Sequence, residues 1–447
     1  MTAPLPPSPK GELLLGNLRA FSRDTLSFLL ESRQYGDIVM MRFGPFPAFI
    51  LNHPDYLHQV LVTDADKFYK SQVTKQVLGA IIGNGLFLSD GAFWKRQRKL
   101  VQPAFHTRRV GAYAQVMTDY ADAMMTRWGD GAALDVDREM TNVTMNIVAK
   151  TLFDADVSGA ASEVGEAVTT ALEIVNVRFN RLVNLPDWLP TRENREMKEA
   201  VARLDAIIMG FIDERRRGMH DKGDLLSMLL MAQDEDDGGS MTDQQVRDEA
   251  MTLFGAGHET TANALTWTWY CLSQHPQIEA RLHEELARVL GGRTPTISDL
   301  PRLQYTEMVI KEAMRLYPPA WGTTREAIAD VELGDYTLRK GGVAFLNFWG
   351  VHRDARFFPN PERFDPERFN PENEKQIPKY AFLPFGAGPR VCIGNAFAMM
   401  EAKLIVATVA QHFRFELAPG HPVQPERVFT LRPKYGMRMI ARRREHS

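Results

Sequence analysis

The residue best placed to do unusual chemistry is a cysteine set among glycines. Cys392 lies in Phe385-Gly-Ala-Gly-Pro-Arg-Val-Cys-Ile-Gly394, just ahead of a segment with helical patterning. Gly386, Gly388 and Gly394 let the backbone approach a flat group closely and expose N–H donors. Amides at a helix N-terminus, with Arg390 nearby, stabilise a thiolate. A thiolate held rigidly in such a cradle suits an axial metal ligand. The competing outcome is a turn holding a buried structural thiol, the commoner fate of a lone cysteine. A GxGxxG phosphate loop is excluded, because Gly386-x-Gly388 is followed next by Gly394.

A second cluster reads Phe254-Gly-Ala-Gly-His-Glu-Thr-Thr261 in the middle of a long helical pattern. Two glycines inside a helix cost about 1 kcal/mol each against alanine, so something must offset them. Small residues at Ala256 and Gly257 would let a flat cofactor and a diatomic ligand lie against the backbone. Thr260 can bond back to the Ala256 carbonyl, opening the ladder into a bend that admits water. Glu259 beside it can carry protons inward. An acid–alcohol pair over a metal is what proton-coupled oxygen activation needs. A kinked core helix with a surface glutamate accounts for the same residues equally well. A zinc-protease motif does not, since the residue four after His258 is Ala262.

The cysteine segment resembles the haem-binding signature of the cytochrome P-450 family, Phe-x-x-Gly-x-Arg-x-Cys-x-Gly. Phe385, Gly388, Arg390, Cys392 and Gly394 fill every defined position. The resemblance implies haem b as cofactor, Cys392 as the iron's axial ligand, and an electron push favouring O–O cleavage. The helix segment resembles the same family's oxygen-binding helix, which makes Thr260 the oxygen-activating hydroxyl and Glu259 its acid partner. Family members that rearrange peroxides without O2 usually lack that pair.

Further motifs follow in the family's order. Trp94-Lys-Arg-Gln-Arg98 is similar to its Trp-x-x-x-Arg helix, with Trp94 and Arg98 one turn apart and able to reach one haem propionate. Arg325 and Arg390 are the other implied propionate partners. Glu312 and Arg315 share a helix face, which alone suggests a weak surface pair. Matched to the family's Glu-x-x-Arg motif they imply a buried structural network with Arg368, although Arg363 in the repeated Pro-Glu-Arg-Phe is a rival. The implied pocket is lined by Val73–Phe87, Ile174–Leu185, Leu253–Ala256 with Thr260–Thr261, Ala320–Thr324 and the turn at Phe429-Thr-Leu431. These are mostly apolar, which favours a lipophilic substrate. Arg178, Arg181 and Lys75 could meet a carboxylate, though such residues are more often surface charges.

The elements that must position these residues are mainly helical. Strands are expected at Ile38–Phe43 and Ala48–Leu51, joined by Gly44-Pro45-Phe46-Pro47, and as short pieces from Val331 to Phe348. Thr242 and Gln245 form a capping-box start for the long helix, and Pro276 stops it. Asp234–Ser240 reads as a solvated loop needing no partner, 352–384 as Pro- and Phe-rich coil, and Asn395–His412 as the last helix. The first residues read as an extended Pro-rich arm. With no βαβ alternation, a doubly wound sheet is excluded. The fold expected is mainly α, with a long central helix over the haem and a small β-rich subdomain near 38–51 and 331–348. One domain spans 1–447, and its haem-binding loop is 385–394.

Composition agrees with that reading. The 447 residues are 44% hydrophobic and 24% charged, with net charge −3, an ordinary globular mix that gives nucleic-acid binding no support. Two cysteines exclude a disulfide framework and a Cys-rich metal site, and Cys271 among aromatics reads as core. No apolar run has the roughly 18–20 residues of a membrane span, and the N-terminus is not a signal peptide. From Gly91 to Thr118 there is no acidic residue, while Lys95, Arg96, Arg98, Lys99, Arg108 and Arg109 are basic. In this family that segment neighbours the cysteine side of the haem, where an acidic ferredoxin or flavodoxin could be steered. The function expected is a cytoplasmic monooxygenase of the soluble bacterial type. It places one atom of O2 into a lipophilic molecule with NAD(P)H electrons delivered through a reductase and separate carriers, the chain ending at Ser447 without a reductase domain. The alternatives are a peroxygenase or isomerase needing no electron donor, a haem sensor without turnover, and a helical domain with no cofactor.

Overall fold

Thr242 sets the start of the longest element. Its hydroxyl accepts the Gln245 amide at 3.2 Å, and the Gln245 side chain accepts the Thr242 amide at 2.9 Å, a complete capping box. The resulting central helix runs Asp243–Gln274 without a break, and Pro276 opens the next helix, Pro276–Leu290. At 1.5 Å per residue it is roughly 48 Å long. Its second half is buried on most sides: Leu265, Trp267, Trp269 and Cys271 are all in the core. Trp267 stacks on Tyr317 at 4.1 Å and donates its indole N–H to the Leu431 carbonyl at 3.0 Å. A buried indole that satisfies its one donor contributes about 3 kcal/mol through its apolar area.

The computed structural model describes residues 4–444 apart from 45, 155–166, 168–169, 172, 176, 180, 182–184, 219–222 and 235–237, and leaves aside the side chains of Thr107 and Arg108. Pro45 of the first connector, 235–237 of the acidic loop, parts of the 174–185 stretch, the Arg108 side chain and the chain's first and last three residues therefore lie outside the described residues. Helices Val136–Phe153, Gln304–Leu316 and Asn395–His412 pack around the central helix in one apolar cluster. The last matches its expected limits. None of the described helices is long and apolar enough to cross a membrane.

The largest of the four sheets among the described residues has five strands: β1 Ile38–Phe43, β2 Phe46–Leu51, β3 Phe68–Tyr69, β4 Thr323–Ala327 and β5 Val343–Leu346, in the order β1-β2-β5-β4-β3. The β1–β2 turn is tighter than expected, because β2 begins at Phe46 rather than Ala48. Pro47 is tolerated there since the parallel pairing of β2 with β5 starts only at Ala48, so the missing N–H is not needed. The 331–338 segment does not join this sheet. Val331–Leu333 and Tyr336–Leu338 pair with each other through Gly334, whose φ of +56° permits the two-residue turn. The place beside β5 is taken by Thr323–Ala327, whose first two residues end the expected lining stretch Ala320–Thr324, which does face the cavity.

Candidate active site

The segment 385–394 folds as expected for a cradle. The Cys392 amide donates to the Phe385 carbonyl at 2.9 Å and the Val391 amide to Gly388 at 3.0 Å, closing the loop on itself. Gly386 and Gly388 hold φ of +69° and +70°. A Cβ on Gly388 would stand 1.9 Å from the Leu61 carbonyl oxygen, so only glycine fits there. Gly394 is different: a Cβ would meet nothing closer than Phe105 at 3.7 Å. It caps the helix Asn395–His412, and its amide faces the Cys392 sulfur.

The thiol opens into a cavity of about 1270 Å³ that crosses the molecule between the central helix and the cysteine loop. Surrounded by protein yet open to that cavity, Cys392 has its pKa raised by burial, with the Gly394 amide and Arg98 opposing. The cation acting on the sulfur is thus Arg98, which donates to the Val391 carbonyl at 2.9 Å. Arg390, expected in that role, turns instead to the Ser89 carbonyl, the Asp90 carboxylate and the face of Trp94, 4.4 Å away. Among the described residues Asp90 is the carboxylate that its guanidinium meets. Trp94, Arg98, Arg325 and Arg390 all line the cavity.

These cations have a companion that the sequence motifs did not reveal, Lys70. It is buried, its ammonium lies 3.9 Å over the Phe87 ring, and burial with the charges of Arg325 and Arg390 pushes its pKa well down. Arg325 is buried too, bonded among the described residues to the Thr323 hydroxyl and the Thr324 carbonyl, with its pKa brought down to about 10 by burial. Among the described residues Asp90 is the carboxylate these groups share, and it also takes Lys75 at 2.7 Å. Buried cations outnumbering their anions around an open cavity fit a cofactor that carries carboxylates of its own. Lys75, considered for substrate binding, is thereby committed. So are Arg178, held by Asp187, Glu193 and Asn194, and Arg181, on Glu193 at 2.7 Å.

Across the cavity stands the acid–alcohol pair. The Thr260 hydroxyl donates to the Ala256 carbonyl at 2.7 Å, as expected, while the helix remains continuous. Ala256 is exposed to the cavity and Gly257 lines it beside Ala256, while Gly257 also meets a second neighbour. A Cβ there would press on Val148 at 3.1 Å, so its missing side chain admits the helix Val136–Phe153. Thr144 of that helix donates to the His258 carbonyl at 3.0 Å at the same crossing. The Glu259 carboxylate accepts from the Thr430 hydroxyl at 2.7 Å, and burial raises its pKa against the pull of Thr430 and Arg432. Glu401, nine residues beyond Cys392, is fully buried beside Thr261, and burial raises its pKa far above the usual range. Its place on an apolar helix face gave the one sequence signal, a charge where a methyl belongs.

The rest of the cradle is supported from behind. Glu312 and Arg315 are wholly buried, paired at 2.7 and 2.8 Å. Arg368, not Arg363, completes the network through its Nε at 3.3 Å, while Arg363 contributes its carbonyl to Arg315. Arg315 also donates to the His352 carbonyl, and the His352 ring accepts the Leu383 amide at 3.1 Å, two residues before Phe385. The basic stretch is less free than its sequence suggests. Arg96 and Lys99 pair with Asp234, which is buried rather than solvated because those two cations reach it. Lys95 and Arg109 remain exposed. Cys271 is core, its thiol pushed up by burial.

A thiol facing an acid–alcohol pair across an apolar cavity, with buried cations at its side, defines a haem-thiolate oxygenase site. The family model for cytochrome P450 matches residues 6–439, and the chain belongs to that family. Over 420 residues it is 40% identical to cyclooctatin synthase of Streptomyces melanosporofaciens, covering 94% of this chain and 91% of that one. It is 38% identical to cyclooctat-9-en-7-ol 5-monooxygenase of the same organism (91% and 88% covered). To pentalenene oxygenase of Streptomyces avermitilis it is 36% identical (94% and 93% covered). The protein is accordingly a P450 monooxygenase, of a class that uses O2, a redox partner and lipophilic substrates.

Proposed function

We propose that this enzyme, working as one haem-thiolate unit over 1–447, places one oxygen atom into a C–H or C=C bond of a cyclic, largely hydrocarbon molecule. The observation that carries this is the lining of the cavity between the Cys392 thiol and the Glu259–Thr260 pair. Leu78, Ile81, Phe87, Phe179, Leu253 and Phe429 supply it, and the cations of the same stretches are already paired. Names of the relatives denote an alkene and an alkenol, which agrees with an apolar lining. Haem b fits the cavity's excess of cation: its two propionates would meet Trp94, Arg98, Arg325, Arg390 and Lys70, and Cys392 would hold its iron. Bound there, the iron supplies oxygen binding and activation. Thr260 then holds the oxygen end of the cavity, Glu259 is the acid partner, and Glu312, Arg315 and Arg368 keep the cysteine loop in place.

Electrons come from NAD(P)H through a reductase and a small ferredoxin or flavodoxin, in the cytoplasm. Lys95 and Arg109 favour an acidic carrier on the cysteine side. The deciding experiment is a titration of the ferric haem protein with cyclic alkenes, cyclic alkenols and fatty acids, followed by the spin-state shift, with product analysis in a ferredoxin-supported assay. Cyclic alkenes and alkenols are expected to shift the spectrum and gain one oxygen. Saturation by fatty acids alone overturns the substrate class.

A further inference from the structure

The second half of the central helix carries one polar stripe that reaches beyond the helix itself. Glu259, Asn263 and Thr266 are spaced i, i+4, i+7 and so lie on one face, directed at the turn around residue 430 and at the first turn of the helix Val136–Phe153. Each makes a contact there. The Asn263 amide donates to the Thr430 oxygen at 2.9 Å, and the Thr430 hydroxyl donates to Glu259 at 2.7 Å. Because the Thr430 oxygen already receives a proton from Asn263, its own hydroxyl proton is left to point at the carboxylate. One helical turn further, Thr266 approaches Asp137 at 3.5 Å, at the limit of a hydrogen bond. Thr430 is itself buried and fixed by its backbone: Leu431 donates its amide to Pro319 and accepts the Trp267 indole.

We infer that Thr430 is the positioning residue that latches the Glu259 carboxyl onto the Asp137 side of the helix, and that Asp137 is the outer station from which Glu259 regains its proton. This rests on reading Glu259 as the acid partner of Thr260. In its latched position the carboxyl faces Thr430, with Arg432 and Asp137 beyond; released by side-chain rotation, it faces the cavity it also lines. One cycle moves one proton: Glu259 gives a proton into the cavity at Thr260, returns to Thr430 as carboxylate, and takes a proton from solvent by way of Asp137. No electrons move in this step.

The charges packed around the stripe suit a relay that works near neutral pH. Glu259 is raised by burial and held down by Thr430 and Arg432. Asp137 is pushed up to about 7 by burial, Asp135 and Glu259, with Arg432 and Thr266 opposing. Arg432 is shared with Glu426 at 3.2 Å and is partly exposed, so the outer end of the stripe reaches solvent. Thr430 and Asp137 come from segments far apart in sequence, which is why no local motif announces them.

The test needs a readout besides turnover. In the ferric haem protein, an infrared pH titration assigns the Glu259 carboxyl band as the one lost in Glu259→Gln. Thr430→Val is isosteric but cannot donate, so the Glu259 midpoint should rise by roughly one to two pH units, and Thr430→Ser should restore it. In turnover, Thr430→Val should lower coupling of O2 use to product several-fold, and Thr430→Ser should restore it. Asp137→Asn should abolish the dependence of coupling on pH near 7. If Glu259→Gln uncouples the enzyme while Thr430→Val and Asp137→Asn leave band and coupling untouched, the inference is overturned and the acid role stands. If Glu259→Gln changes nothing, both are overturned.

Discussion

Replacing Glu312 by glutamine keeps the shape of the side chain and removes its charge. The carboxylate takes four hydrogen bonds: two from Arg315 at 2.7 and 2.8 Å, one from the Asp365 amide at 2.8 Å and one from Arg368 at 3.3 Å. A glutamine oxygen can keep at most two of these, and its NH2 group would face the Arg315 guanidinium. Arg315 has no exposure, so its charge would lose its carboxylate and be left among neutral acceptors such as the carbonyls of His352 and Arg363. Breaking a buried pair by removing one partner costs about 3–5 kcal/mol. At about 2.1 cal/mol/K per residue, unfolding all 447 residues carries about 0.9 kcal/mol/K, so the thermal midpoint should fall by roughly 4 °C. The loss also travels along Arg315, His352 and Leu383 to the cysteine loop, so haem retention should fall with it. Calorimetry with a parallel ferrous–CO spectrum measures both. Glu312→Leu combined with Arg315→Leu should be milder than either single change, since the two wholly buried charges leave together and only the partly exposed Arg368 loses its carboxylate. A Glu312→Gln midpoint within 1 °C of the parent, or a double variant equal to the sum of the singles, would refute the reasoning.

Three further outcomes follow from particular contacts. Gly388→Ala should abolish haem incorporation, read as loss of the Soret band, because its Cβ meets the Leu61 carbonyl at 1.9 Å. Cys392→Ser should fold yet lose the red-shifted ferrous–CO band, whereas Thr260→Ala should keep that band and uncouple O2 use from product. Glu249→Gln should stabilise the protein selectively at high pH. Glu249 is fully buried and pushed up to about 7, mainly by burial, from an ordinary 4.5. A raised carboxyl binds its proton more tightly in the folded chain, so its contribution to stability is present at low pH and declines between about 4.5 and 7. Glutamine cannot ionise, and Gln97, whose amide oxygen lacks a partner, can turn to accept its NH2. Urea midpoints at pH 4.5 should match the parent, and at pH 8 the gain should be up to about 3 kcal/mol. Equal shifts at both pH values would sink the linkage.

How much of this was legible in the chain depends on distance along it. The capping box at Thr242, the stop at Pro276 and the limits of Asn395–His412 are local chemistry, and each formed where its residues stand. Sheet partners are a different matter. Val331–Leu338 has the alternation of a sheet strand, yet its Gly334-Asp335 turn closes it into a private hairpin. β4 shows no alternation worth reading, because both its faces are partly covered and it carries Arg325 inward. Periodicity states that a segment can pair and leaves open with what.

The same division runs through the site, and it has a physical cause. Residues that touch the cofactor cradle through backbone geometry, such as Gly388, Phe385 and Cys392, lie within ten positions and carry a signature. Residues that answer a charge lie wherever the fold brings them. Gly257 lines the cavity that its smallness pointed to, and the same missing side chain also admits Val148, which nothing local announces. Arg390 was assigned to the thiol by proximity in sequence, while Arg98, almost three hundred residues away, is the cation that acts there. Lys70 was invisible for that reason, a lysine beside a tyrosine with no distinguishing neighbours, and Thr430 was legible only as part of a lining turn and not as a partner of Glu259. Burial makes them consequential. An ammonium packed on Phe87, with no hydrogen-bonded carboxylate among the described residues, calls for an anion, and a buried hydroxyl whose oxygen is already occupied gives its proton to Glu259.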